Sequence, residues 1–109
     1  MNMDVGTKIE SLFPNYRSSA KTDEWVRLCN ELKLGSLTSG TVVLKFDFGY
    51  VINIGVSFPA LMLVGNFTPE NSNLEIGSII SGNIYAFDGN KNQIGITQTG
   101  RKKWMEGTW

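Results

Sequence analysis

No histidine occurs anywhere in this chain of 109 residues. That removes His-dependent triads, imidazole general bases and imidazole metal ligands together. There is one cysteine, Cys29, so neither an internal disulfide nor a cysteine-rich zinc site can form. A reducing, cytoplasmic setting is expected from that usage. Net charge is absent too: ten basic residues balance ten acidic ones. A uniformly basic nucleic-acid binder is therefore excluded, and attraction to phosphate has to come from a local patch. No apolar run approaches the ~20 residues that cross a bilayer, so no membrane association is expected. The opening Met1-Asn2-Met3-Asp4-Val5-Gly6 has no basic start followed by an apolar stretch, so no secretory signal is expected. Acidic residues adjoin only at Asp23-Glu24, at a helix start, where the dipole explains them. No Gly-rich loop with a following Lys has phosphate-cradle spacing, and no Ser or Thr has a recognisable base partner. The chain reads as non-enzymatic, with no cofactor and no metal.

What is present is the composition of one packed domain: 41% hydrophobic and 18% charged residues. Apolar spacing changes near Gly35. Val5, Ile9, Leu12 and Phe13 recur at helical spacing and stop at Pro14, predicting a short helix. Residues 18–21 read as a linker. Thr22-Asp23-Glu24 opens a second helix over 23–33, with Trp25, Leu28, Cys29 and Leu32 as its apolar stripe. That stripe is expected to plug the domain that follows. Strands are predicted over 37–46, 48–54, 60–64, 78–87 and 93–98. The 66–75 stretch is too polar for a strand and long enough to be a functional loop. Asp88-Gly89-Asn90-Lys91-Asn92 is a strong hairpin turn. Five short strands without crossover helices predict an all-β fold, a five-stranded antiparallel barrel with an N-terminal helical extension. The expected division is 1–34 helical extension, 35–99 barrel, and 100–109 basic and aromatic tail. Gly40 allows a bend or a close approach. Gly49 suggests a bulge that puts Phe48 and Val51 on one face. The expected core is Val42, Leu44, Ile52, Ile54, Leu61, Ile84 and Ile96, with Leu28 and Leu32 from the helix.

From Gly35 onward the chain resembles the RNA-binding repeat of ribosomal protein S-one, an oligonucleotide-binding (OB) barrel. The resemblance rests on Gly35, Gly40 and Val42, then Asp47-Phe48-Gly49, Val51-Ile52 and Gly55. It continues through Ala60-Leu61-Met62, Gly77, Gly82 and Ile84, and ends with Asp88 and Ile94-Gly95-Ile96-Thr97. It spans about 34–98. It implies an RNA-contacting face of two aromatics, a histidine, an aspartate and a basic residue. Phe48 and Asp88 match that pattern. Val51 stands at the second aromatic, Leu63 at the histidine, Gly65 where a serine usually follows and Asn92 at the basic residue, with Lys91 adjacent.

Two readings stay open. In one, bases of single-stranded RNA stack on Phe48 and Tyr50 with weak sequence preference. Lys45, Asp88 and Lys91 assist, as do Arg101, Lys102, Lys103 and Trp104 of the tail. In the other, the barrel has lost RNA binding and docks a partner protein through Phe48, Tyr50 and Leu63. Phe46 reads as a packing aromatic. The oligomeric state is not specified by the sequence.

Overall fold

The computed structural model describes residues 4–14, 16, 23–88 and 92–99. Helix α1 (Val5–Leu12) starts where Asp4 accepts the Thr7 N–H at 2.7 Å, and it ends before Pro14. Helix α2 (Asp23–Glu31) has Asp23 and Glu24 in its first turn, where negative charge suits the dipole. Five strands follow: β1 (Leu37–Phe46), β2 (Gly49–Asn53), β3 (Ala60–Leu63), β4 (Ile79–Asp88) and β5 (Gln93–Thr97). A single 3-10 turn, Pro69–Asn71, interrupts the long polar β3–β4 loop.

The strands close into a barrel in the order β1-β2-β3-β5-β4. Four contacts are antiparallel, as expected. The fifth is parallel: Ala60 lies opposite Ile94 and Leu61 opposite Gly95. The reason is parity. Five strands cannot alternate direction all the way round a closed ring, so one neighbouring pair must run the same way. The barrel is therefore mixed.

Period-2 alternation sorts side chains to two sides of the wall. Val42, Tyr50, Ile52, Ala60, Met62, Ile80, Ile84, Ile94 and Ile96 fill the interior. Helix α2 closes one end with Trp25 and Leu28. The Trp25 ring meets Phe58 edge-on at 5.0 Å and Phe87 at 6.3 Å, so the expected plug is there. Gly40 sits against β2; a Cβ there would run into the Asn53 carbonyl and the Ile52 side chain.

Three expected core residues, Leu44, Ile54 and Leu32, are only partly buried. The register shift falls in β1 between Val42 and Leu44, not at Gly49. It turns both Val43 and Leu44 outward. Leu61 is fully buried, but on the outer side of the wall. Phe48 and Val51 do share a face, as expected, with Gly49 accommodating the turn at φ 148°.

The second hydrophobic cluster lies outside the barrel. Val5 and Ile9 of α1, its C-cap Phe13, and Tyr16 pack over Val43, Leu44, Val51 and Leu61. The N-terminal extension is thus bound into the structure at two places, α1 over the wall and α2 over one end.

Candidate nucleic-acid interface

The outer face of β1–β3 is where the sequence places ligand contacts, and α1 occupies much of it. Val51 and Leu61 are fully buried beneath α1 and Tyr16. Leu63, in phase with Leu61, is also buried. What stays partly open is the rim at the β1–β2 turn. There Phe46 and Phe48 stack with ring centroids 5.1 Å apart and planes 15° from parallel, both rings half-buried. The Lys8 Nζ of α1 lies over the Phe46 ring, 5.9 Å from its centroid. A cation held against an aromatic pair combines a charge for phosphate with apolar surface for bases.

Tyr50 requires correction. It points into the barrel, 2% exposed, with its ring 4.9 Å from Phe67. Its hydroxyl donates to the Asn71 carbonyl at 2.5 Å and accepts the Leu74 N–H at 2.9 Å. Alternation along β2 decides this: Val51 faces out, so Tyr50 faces in. Neither a base nor a partner protein can reach its ring, and the expected Phe48–Tyr50–Leu63 patch does not form. Tyr50 instead pins the β3–β4 loop. Lys45 joins it there, its exposed Nζ donating to Asn73 Oδ1 at 2.7 Å. Lys45 therefore contacts the β3–β4 loop.

Gln98, just past β5, ties the same loop down. Its Oε1 accepts from the Thr68 N–H at 2.9 Å and Asn71 Nδ2 at 3.0 Å, and its Nε2 donates to the Ser81 carbonyl at 2.8 Å. Nearby, Asn66 is buried between Tyr85 and Thr97. Burial pushes the Tyr85 hydroxyl up to about 12, against the lowering effect of the Asn66 hydrogen bond. The 66–75 stretch is therefore an ordered polar cap over the end of the barrel opposite α2.

Asp88 sits at the end of β4, half-buried, and accepts from Gln93 Nε2 at 3.3 Å. Lys91, Arg101, Lys102, Lys103 and Trp104 lie outside the described residues. Between α2 and the 55–58 turn there is a cleft of about 320 Å³. Glu24, Arg27 and Glu31 form one wall and Ser57 and Phe58 the other, so its charge does not favour phosphate. Among the described residues no three His, Cys, Asp or Glu side chains group as a metal site, and no helix is long and apolar enough to cross a membrane.

Sequence reasoning missed Lys8 and treated Phe46 as packing alone. A signal was available. The Val5-Ile9-Phe13 stripe needs a surface to cover, and Val51 and Leu63 are aliphatic where the resembled family has an aromatic and a histidine. Together they indicate an outer face adapted to a helix.

No family model matches the chain, and no curated protein matches it. Solved structures resemble it in fold. GSP13 from Bacillus subtilis superimposes with a TM-score of 0.54 at 19% identity, over 70% of this chain and 66% of that one. A candidate exosome complex RNA-binding protein gives 0.52 at 19% identity, over 64% of this chain and 45% of that one. A multidomain Streptococcus pneumoniae protein with nucleic acid binding domains gives 0.54 at 10% identity, over 79% and 30%. The chain thus spans about two thirds of the first and less than half of the other two. At these identities the likeness establishes the OB-type barrel and nothing finer.

Proposed function

We propose that this protein is a non-enzymatic module that binds single-stranded nucleic acid, RNA in the first place, with weak sequence preference. The observation that carries the reading is the half-exposed Phe46–Phe48 stack on the outer wall of an OB-type barrel, with the Lys8 ammonium against it. Aromatic surface next to a cation is sequence-tolerant, because every base has a π-face and every nucleotide a phosphate. Two of the barrels it resembles are named as RNA-binding or as having nucleic acid binding domains, which supports the same reading. Asp88, Lys91 and the Arg101-Lys102-Lys103-Trp104 tail belong to the proposal as further contacts suggested by the sequence, in a cytoplasmic setting.

The test is titration of a short labelled single-stranded RNA, its DNA equivalent and a duplex at two salt concentrations. Phe48→Ala is expected to weaken single-strand binding by about 1–3 kcal/mol, with little dependence on base identity. Absence of binding tighter than about millimolar at low salt, where electrostatic attraction is strongest, sinks the reading.

One observation favours a second reading, docking of a partner protein. Leu37 and Ile79 are 72% and 71% exposed on the outward side of the paired β1–β4 strands. Leu37→Ser with Ile79→Ser leaves RNA affinity unchanged under the first reading. Loss of RNA binding in that double variant would move the interface to this side.

A further inference from the structure

Helix α1 is not an appendage to the candidate interface; the geometry assigns it a direct part. We propose that Lys8 is a phosphate-contacting residue of the site and that α1 forms one bank of the path a single strand takes. This rests on the nucleic-acid reading above.

Val51 and Leu61 are sealed beneath Ile9, Phe13 and Tyr16. They are aliphatic, and exposing them would leave a surface that repays neither water nor a base as an aromatic would. Helix α1 therefore has no chemical reason to vacate this part of the wall for a ligand. A strand running along the outer wall has to pass beside α1, over the rim made by Phe46 and Phe48.

At that rim α1 supplies a cation, alongside the exposed carboxylate of Asp47, which separates the two rings in the chain. The Lys8 Nζ is 5.9 Å from the Phe46 centroid, at one end of the stacked pair. A ring face attracts the ammonium without consuming its three hydrogen-bond donors, so they stay available to phosphate oxygens. The acid nearest in sequence on the N-terminal side, Asp4, is engaged in capping the Thr7 N–H. Glu10 also has partners within the structure. Placement on a helix whose Val5, Ile9 and C-cap Phe13 are anchored holds the cation in register with the rings.

The experiment measures binding of labelled oligouridine to the full chain across a salt series, for wild type, Lys8→Gln, Lys8→Met, Lys8→Arg and Lys33→Gln. Lys33 is an exposed lysine outside the grouping and controls for general charge loss. Lys8→Gln is expected to weaken binding several-fold at low salt. It should also reduce the log–log salt slope by about 0.7, the contribution of one neutralised phosphate on a single strand. Lys8→Arg should restore both, and Lys33→Gln should change neither. Thermal melts of each variant separate a folding defect from a lost contact, and Lys8→Met, which keeps the aliphatic stem and removes the charge, carries the test if Lys8→Gln melts early. An unchanged slope and affinity in Lys8→Gln, with wild type binding well, overturns the assignment while leaving the nucleic-acid reading in place. Tighter binding by Lys8→Gln overturns it too, because α1 would then be an obstacle. Failure of the wild type to bind at all removes the underlying reading instead.

Discussion

Replacing Tyr50 by Phe removes one oxygen and leaves the ring, so it separates a structural pin from a ligand contact. The hydroxyl holds two backbone groups of the β3–β4 loop, the Asn71 carbonyl and the Leu74 N–H. Each hydrogen bond contributes about 0.5–1.5 kcal/mol net, and a buried group left unsatisfied costs about 1–3 kcal/mol. Both loop residues are half-buried, so water can reach part of what is lost. The expected cost is therefore about 1–3 kcal/mol for the pair. In a domain of about this size each kcal/mol lowers Tm by roughly 4–8 °C. Urea unfolding should show a lower midpoint with an unchanged slope, since buried area hardly changes. Hydrogen exchange should rise in the 66–75 loop first, because the barrel's own ladders do not depend on this hydroxyl. RNA affinity should be unaffected, as the ring is out of reach. A loss below about half a kcal/mol is what surface substitutions give, and would refute the pin. Weakened RNA binding at unchanged stability would put Tyr50 back on the ligand face.

Ile52→Ala and Ile84→Ala, both about 1% exposed in the interior, should each cost about 2–5 kcal/mol in denaturant melts. Ile9→Ala should cost no more than the docking of α1, since an eight-residue helix has little stability of its own and can detach while the barrel stays folded. Exchange confined to the α1 amides checks this. Gly40→Ala should destabilise by roughly 1–3 kcal/mol, because its methyl group meets the backbone of β2 and not the yielding end of a side chain; a neutral melt would show that β1 can shift. Tyr85 ionises near 12 in the fold and near 10 when unfolded, so its contribution is complete below pH 10 and is lost as pH rises from 10 through 12. Tyr85→Phe should flatten that alkaline decline relative to wild type, and identical declines would contradict the burial of the hydroxyl.

Local chemistry decided a good deal by itself. Strand number, the β1 limits, both helices and the α2 plug were legible because each depends on neighbours in the chain. Alternation marks strands, a four-residue stripe marks α1, and Trp25 with Leu28 marks a helix face that must be buried. That one neighbouring pair must be parallel follows from five strands and closure, but that β3 and β5 form it was decided by the fold. The side to which a residue points was less legible, because a one-residue shift reverses it. The irregularity between Val42 and Leu44 is such a shift, and it sends Leu44 outward where a regular strand would have kept it with Val42. Tyr50 was misplaced by the same parity. The destination of α1 was decided by tertiary structure alone. Its apolar stripe states that something must be covered, but the surface it covers comes from three strands that lie beyond α2 in the chain. Only their folding together creates the Val51–Leu61 patch, buries it under Ile9 and Phe13, and brings Lys8 to Phe46.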